Sequence, residues 1–503
     1  MSLSDANATS PTGGEPSYLP RTAAVVAGPA RTPAAAVTAA VAAAASVFPV
    51  VSTTSPAERR RWLDAVADAL DVAGGELVAL ADEETALGEA RLRGELSRAA
   101  QNMRYYAAAG ESGAWLRARI DTVEGPPRLD LRRAELPIGP VAVFGASNFP
   151  FQFGVLGHDT CSAVAAGCPV VVKAHPAHPR LSVRLYETAA RALASAGAPA
   201  GVLSLVVGFE AGLALVDAPP IAAVAFTGSQ RGGMALVERA RRRPTPIPVY
   251  AEMGTVNPVL LTPAASHRAE RIAEEFVDSF TLGAGQFCTK PGLMLAPRGS
   301  GVVEAVAGKV RAAQGGWLLT QGIAAAYRDG LRTLEAAGGR MLAAGPEPEE
   351  GYAARAAALL VEIDDLGEDS PLLEECFGPV ALVAEYGDFD EALKAVARLR
   401  PSLAACVHGG GEGDPDLVRA VAELAGRVGR VVVDGFPTGV ATADAMHHGG
   451  PWPATSDPRA TSVGAEALRR FTRPVAFQNV PDAALPPALR DGNPWRLPDR
   501  TER

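Results

Sequence analysis

Three residues in this chain carry types and settings that could do chemistry. Cys288 lies in residues 280–291, behind Gly283, Gly285, Gln286 and Phe287. A thiolate is the best side-chain nucleophile near neutral pH, and a backbone amide beside it can hold a developing oxyanion. The two glycines let the backbone bend and a ligand approach. Glu252 sits at a strand end before Gly254. In a partly apolar cleft its pKa would rise, which suits a general base for water. Asn148, in residues 144–150, offers an amide donor, one half of an oxyanion hole. Taken singly, each has a plainer explanation: a small buried thiol, a surface glutamate, a turn cap.

Lys173 closes the apolar run 170–172, a place to meet ribose hydroxyls or a phosphate. Residues 226–233, with Gly228 and Ser229, read as a strand, a glycine turn and a helix start, which is an anion site. No GxGxxG occurs. The pair His447–His448 lacks a third ligand at a fitting spacing, so loop or substrate-pocket residues are expected there and no metal.

These residues need a scaffold to converge. At 503 residues the chain is long enough for two or three domains. A hydrophobic share of 48% with few aromatics fits an α/β or α-rich soluble protein. The net charge of −9 argues against broad nucleic-acid binding. Five cysteines without a CxxC (Cys161, Cys168, Cys288, Cys376, Cys406) indicate a reducing compartment with neither a disulfide framework nor structural zinc. The most apolar run, 34–51, is alanine-rich and broken by Thr38, Ser46 and Pro49, so it reads as a soluble helix rather than a membrane span. Residues 1–20 lack a basic region followed by an apolar one and read as a mobile tail, with the protein expected in the cytoplasm.

Residues 34–48 and 56–109 are helical in pattern, the second opened by Ser55-Pro56-Ala57-Glu58, with Trp62, Val66 and Leu70 on one face. Residues 120–136 read as an extended hairpin or oligomerisation arm. From Pro140, apolar strands at 141–144, 169–172, 202–207 and 221–226 alternate with helices, the mark of a parallel sheet covered on both faces. Ligands bind such sheets at the carboxyl ends of their strands. A second α/β unit follows, with strands at 259–261, 293–295, 359–363, 380–385, 403–408 and 430–433, a helix at 267–282 and a glycine-broken helical stretch at 301–334. Residues 471–479 read as a last strand. Cys288 lies 36 positions after Glu252, room for one strand and one helix to return the chain.

In this order, Ser147-Asn148-Phe149-Pro150, Val172-Lys173, Phe226-Thr227-Gly228-Ser229, Glu252-Met253-Gly254, Gly285-Gln286-Phe287-Cys288 and Glu375-Cys376-Phe377-Gly378-Pro379 resemble the aldehyde dehydrogenase superfamily. The resemblance runs from about residue 30 to 480. It implies that fold: a Rossmann-like cofactor domain (1–119 and 140–254), an α/β catalytic domain (255–464) and a small β oligomerisation arm (120–139 and 465–503). It implies Cys288 as nucleophile, Glu252 as the base that activates water, and Asn148 with the Cys288 amide as oxyanion hole. Lys173 and Glu375 would hold the riboses and Ser229 the pyrophosphate, with His175, Gly228 and Phe377 beside the cofactor. The aldehyde would become a thioester and then an acid. The resemblance also implies a homodimer or homotetramer acting on a small aldehyde, with no nucleic acid or membrane partner.

Residues 145–150, 173–179, 436–439 and 448–457 narrow the resemblance to the 2,5-dioxovalerate (α-ketoglutaric semialdehyde) dehydrogenase branch. Many NAD-preferring members carry a glutamate three residues after the lysine, where this chain has Pro176. Its absence permits a 2′-phosphate, so NADP is expected, with NAD possible, and His175, His178 and Arg180 are candidates for the phosphate. The alternative is that these three simply form a proline-stiffened loop. Arg104, Arg459 and the 436–439 turn are candidates for the distal carboxylate. A CoA-acylating enzyme is the rival chemistry, against which a hydrolytic base at Glu252 argues. A non-catalytic binding protein is the rival class.

Overall fold

The computed structural model describes residues 13–346, 350–498 and 501–502. It opens on a hairpin of β1 (Gly14–Leu19) and β2 (Ala24–Ala30). This corrects the mobile-tail expectation for its second half; residues 1–12 lie outside the described residues. The polar composition hid the reason for the order. Ser17 is buried and donates to the buried Glu84 at 2.6 Å, and Arg180 Nε meets the same carboxylate oxygen and Ser17 Oγ.

Helix α1 (Ala34–Val51) is long and apolar enough to cross a membrane by length and composition alone. Here it packs Val37, Val41 and Ala44 into a core shared with Ala142, Val171 and Leu215. In α2 (Pro56–Thr85) Ser55 caps the first turn through the Glu58 amide at 3.2 Å, with Pro56 at the first position. Such a cap stabilises by about 1 kcal/mol. Trp62, Val66 and Leu70 bury the predicted face against α3 (Glu89–Ser112). Strands β3 (Arg119–Val123) and β4 (Leu129–Pro137) form the expected hairpin.

The first parallel sheet contains β5 (Val141–Phe144), β6 (Val170–Lys173), β7 (Leu203–Val206), β8 (Ala223–Gly228) and β9 (Val249–Met253), in the order β7-β6-β5-β8-β9. Its strands are continuous apolar runs because α4 (His158–Ala166), α5 (Pro179–Ser195), α6 (Phe209–Asp217) and α7 (Gln230–Arg241) connect them across both faces.

Strand β10 (Asn257–Leu261), α8 (Ala269–Thr281) and β11 (Pro291–Pro297) begin the second unit. The glycine-broken stretch resolves into α9 (Val302–Ala312) and α10 (Gln321–Ala336), separated by the short β12 (Gly316–Trp317). Next come β13 (Arg340–Ala344), β14 (Ala353–Ala354), β15 (Ala357–Val361), β16 (Val380–Tyr386), α11 (Phe389–Arg398), β17 (Ser402–His408), α12 (Pro415–Ala425) and β18 (Val428–Val433). The seven-stranded sheet runs β13-β15-β16-β11-β10-β17-β18, parallel except at β13.

After β18 the chain crosses back to the first sheet. Met253 N donates to Ala454 O at 2.8 Å and Ser456 N to Ala251 O at 3.1 Å, so residues 454–456 line the edge of β9. Strand β19 (Thr472–Gln478) then joins β4, and β20 (Thr501–Glu502) joins β3, in a separate four-stranded sheet.

Candidate active site

Cys288 follows α8 through a turn in which Gly283, Ala284 and Gly285 all adopt left-handed backbone, with φ of 57°, 56° and 67°. Gly285 is also fixed by space: a Cβ there would lie 2.1 Å from Gly378 O. The buried Gln286 side chain pins the turn, donating to Trp317 O at 3.1 Å and accepting from Leu319 N at 3.0 Å. Asn257, polar in an otherwise apolar strand, donates to Cys288 O and Lys290 O, both at 2.9 Å. Lys290 is buried and donates to the carbonyls of Cys376, Gly378 and Val380 at 2.8–2.9 Å. Hydrogen bonds to a charged group contribute roughly 1.5–3 kcal/mol each. The nucleophile turn and the segment holding Glu375 and Phe377 are thereby locked together.

Asn148 comes from the loop after β5, buried, and donates from Nδ2 to Gln286 O at 2.7 Å. That bond sets its amide two residues from Cys288. Helix α3 supports the loop at two points. Arg91 donates to Asn148 O at 2.8 Å, and Glu95 Oε1 accepts from the amides of Phe151 and Gln152 at 2.9 and 3.1 Å. The Arg91 guanidinium lies 5.1 Å from the Phe149 ring centroid and 5.0 Å from that of Phe287, and its Nη1 has no acceptor among the described residues.

Glu252, at the end of β9, is buried. Its Oε1 lies 2.9 Å from His448 Nε2, and Ser462 Oγ donates to its other oxygen. The same His448 Nε2 stands 3.7 Å from Cys288 Sγ, and donor atoms of Glu252, Cys288 and His448 all lie within 4.8 Å of one another. The expected rise in the Glu252 pKa is corrected. Burial does push it up, but His448, Ser462 and the Cys288 thiol outweigh burial and hold the carboxyl below its usual value. Cys288 moves the other way. The protein dehydrates its sulfur, and the carboxylates of Glu252 and Glu375 add to that, so the thiol titrates well above the ordinary cysteine range.

The residues expected at the cofactor lie along the carboxyl edge of the first sheet and opposite it. Lys173, at the end of β6, is pushed down to about 8 by burial. Ser229 caps α7 through the Gly232 amide at 3.2 Å, presenting the start of a 12-residue helix. Gly228 and Gly232 cover the ring of Phe226, which a Cβ at either would approach to 2.6 or 3.0 Å. Gly254 leaves a cradle for Glu375, whose oxygens would be 2.2 Å from a Cβ there. Burial raises Glu375 to about 7. A cleft lined by Gln230, Gly254, Thr255, Glu375 and Pro453 lies between the start of α7 and Glu375.

The proposed phosphate ligands are mostly engaged elsewhere. His178 is buried against Ala146 O at 3.2 Å, and Arg180 pairs with Glu83 and Glu84. His175 is half-buried and accepts from Ala177 N at 3.1 Å. The proline-stiffened loop therefore accounts for His178 and Arg180. Two carboxylate anchors are likewise displaced: Arg104 pairs with Asp68 and Asp71 on the surface, and Arg459 is 91% exposed. The 436–439 turn is tied to β18 by Arg430, which donates to Pro437 O and Gly439 O.

Sequence reasoning did not single out Arg91, Glu95, Asn257 or Lys290, and left His448 as a loop or pocket residue. Asn257 carried a signal, as the one polar position in Asn257–Leu261. Arg91 and Glu95 carried a weaker one, four apart on α3 and flanking Leu92 and Leu96.

The two sheets meet at a thiol, a carboxylate and a side-chain amide, and over residues 8–473 the sequence matches the family model described as the aldehyde dehydrogenase family, so the chain belongs to that family of enzymes. Among curated relatives, it is 46% identical over 453 residues to α-ketoglutaric semialdehyde dehydrogenase 2 of Azospirillum brasilense, covering 88% of this chain and 86% of that one. It is 40% identical over 456 residues to α-ketoglutaric semialdehyde dehydrogenase of Acinetobacter baylyi, with the same coverage. Among solved structures, HpcC from Thermus thermophilus shares the fold, with a TM-score of 0.80, 24% identity and coverage of 93% and 91%.

Proposed function

We propose that this enzyme oxidises 2,5-dioxopentanoate, the semialdehyde of 2-oxoglutarate, to 2-oxoglutarate, with NADP as preferred acceptor and NAD as a second one. The observation that carries the reading is the convergence of Cys288, Glu252 and the Asn148 side chain at the junction of the two sheets. The two semialdehyde dehydrogenases above support the choice of substrate.

In this reading Cys288 Sγ adds to the aldehyde carbon, and the carbonyl pair moves to oxygen. Asn148 Nδ2 and the Cys288 amide hold that oxyanion, and no acceptor among the described residues engages the Cys288 amide. A bound nicotinamide supplies the hydride acceptor. Glu252 then takes a proton from the water that cleaves the thioester. Lys173 and Glu375 hold the riboses, while Ser229 and Gly228 face the pyrophosphate, with His175 and Phe377 alongside. Pro176 supports NADP, because no acid stands there to repel a 2′-phosphate. Arg91, whose Nη1 is unpartnered among the described residues beside Phe149 and Phe287, takes the distal carboxylate.

We assign residues 1–119 and 140–254 to cofactor binding, 255–464 to catalysis, and 120–139 with 465–503 to an arm that pairs copies into a cytoplasmic homodimer or homotetramer. A panel of semialdehydes of different chain length, run with NAD and with NADP, tests substrate and cofactor together. The expected result is the highest kcat/KM for 2,5-dioxopentanoate with NADP. A shorter or uncharged aldehyde oxidised equally well would reject the substrate. Replacing Cys288 by Ala should abolish turnover, and surviving activity would reject the nucleophile.

A further inference from the structure

We propose that His448 is a catalytic residue, presenting its Nε2–H to the Cys288 sulfur beside the Glu252 carboxylate so that the attacking thiolate is stabilised. The inference rests on Cys288 being the nucleophile, and it adds a group that a thiol, a base and an oxyanion hole do not require.

Geometry is the first ground. One ring nitrogen stands 2.9 Å from Glu252 Oε1 and 3.7 Å from Cys288 Sγ, inside the longer range of hydrogen bonds to sulfur. The imidazole is held in place. His448 N donates to Thr461 Oγ1 at 2.9 Å, His448 O accepts from Ser462 N at 2.9 Å, and Phe153 packs on the ring with centroids 6.3 Å apart. His448 is 3% exposed, so water does not compete for that nitrogen.

The second ground is chemical need. The sulfur is dehydrated and faces two carboxylates, an environment that opposes a negative charge on it. A thiolate formed there requires a donor. Glu252 is ionised near neutrality, because its carboxyl is held below the usual range, so its charge 2.9 Å from Nε2 favours the tautomer with the hydrogen on that nitrogen, although Oε1 itself accepts no hydrogen bond among the described residues. The step balances without a redox partner. The Cys288 proton passes to Glu252, the S–C bond forms, and the carbonyl pair moves to the substrate oxygen. Nε2–H, already 3.7 Å from the sulfur, stabilises the thiolate while that proton sits on Glu252. Glu252 returns its proton to solvent before it activates water.

Other charged and titratable groups face this cluster. Glu375 and Arg430 act on the sulfur, and His158 and His447 on the imidazole. All of them remain in His448 variants, so a difference between variants reports His448.

The test is the rate of Cys288 alkylation by iodoacetamide as a function of pH in the full-length enzyme, without substrate, with the modified residue assigned by mass spectrometry. His448→Phe should move the midpoint up by about one pH unit or more and slow alkylation near neutrality about tenfold. His448→Gln, which keeps an amide donor, should fall between the two and serves if the Phe variant folds poorly. A Phe profile superimposed on the wild type would overturn the proposal, as would a Gln profile shifted as far as Phe. Because no aldehyde or nucleotide is present, failure here is separate from failure of the substrate assignment.

Discussion

The side-chain amide of Asn148 donates to the main-chain carbonyl of Gln286 at 2.7 Å, joining the loop after β5 to the turn that carries Cys288. One Nδ2 hydrogen thus positions the donor and leaves the other for an oxyanion. Asn148→Ala should lower kcat about 10²–10³-fold, the usual cost of one oxyanion donor. Stopped-flow measurement of the first turnover should show the loss in the chemical step, with KM changed far less.

Arg91 offers a contrast between holding and binding. Its Nη2 supports Asn148 O, while Nη1 is unpartnered among the described residues. Arg91→Met should raise KM for 2,5-dioxopentanoate roughly tenfold or more, the scale of a lost charge-assisted hydrogen bond, while costing an uncharged aldehyde of equal length mainly in kcat. Equal losses in kcat/KM for both substrates would assign Arg91 to the loop alone.

Glu95 makes stability depend on pH. Burial raises its carboxyl to about 7 against an ordinary value near 4.3. The folded state therefore holds a proton that the unfolded chain has already lost. Its stabilising contribution is complete below about pH 4.3 and disappears as pH rises through about 7. Glu95→Gln keeps an acceptor for the Phe151 and Gln152 amides without the titration. The Tm of the variant relative to wild type should rise steadily between about pH 5 and pH 8. A constant offset would place the charge elsewhere.

Gly285 is a prediction about space. Its left-handed backbone and the 2.1 Å approach of Gly378 O to a would-be Cβ leave no room for a methyl group. Gly285→Ala should lower Tm and activity together, whereas Gly299→Ala, also left-handed but in open space, should keep activity. Melting curves and steady-state rates on both variants decide the point.

Most of the scaffold was legible because buried parallel strands are continuous apolar runs. Val141–Phe144, Val170–Lys173 and Val380–Tyr386 stand out for that reason. The hairpin at Gly14–Leu19 did not, since its order comes from Ser17 meeting Glu84, 67 residues away. Cys288, Glu252 and Asn148 were visible through their glycine-rich settings and the family resemblance. His448 was invisible as a member of that group, because its partners lie 160 and 196 positions earlier in the chain. The direction of the Glu252 shift was misjudged for the same reason: burial can be guessed from a strand end, but the imidazole that reverses its effect cannot.

The segment that crosses from β18 to the edge of β9 has a bearing on synthesis. Ribosomes release Glu252 and Cys288 long before residues 448–462 that complete their surroundings. A nascent chain therefore carries the thiol without its histidine and hydroxyl companions, next to a sheet of which only β10 precedes it. The surroundings that dehydrate Cys288 and gather Glu252, His448 and Ser462 beside it are therefore complete only once nearly the whole polypeptide has been made.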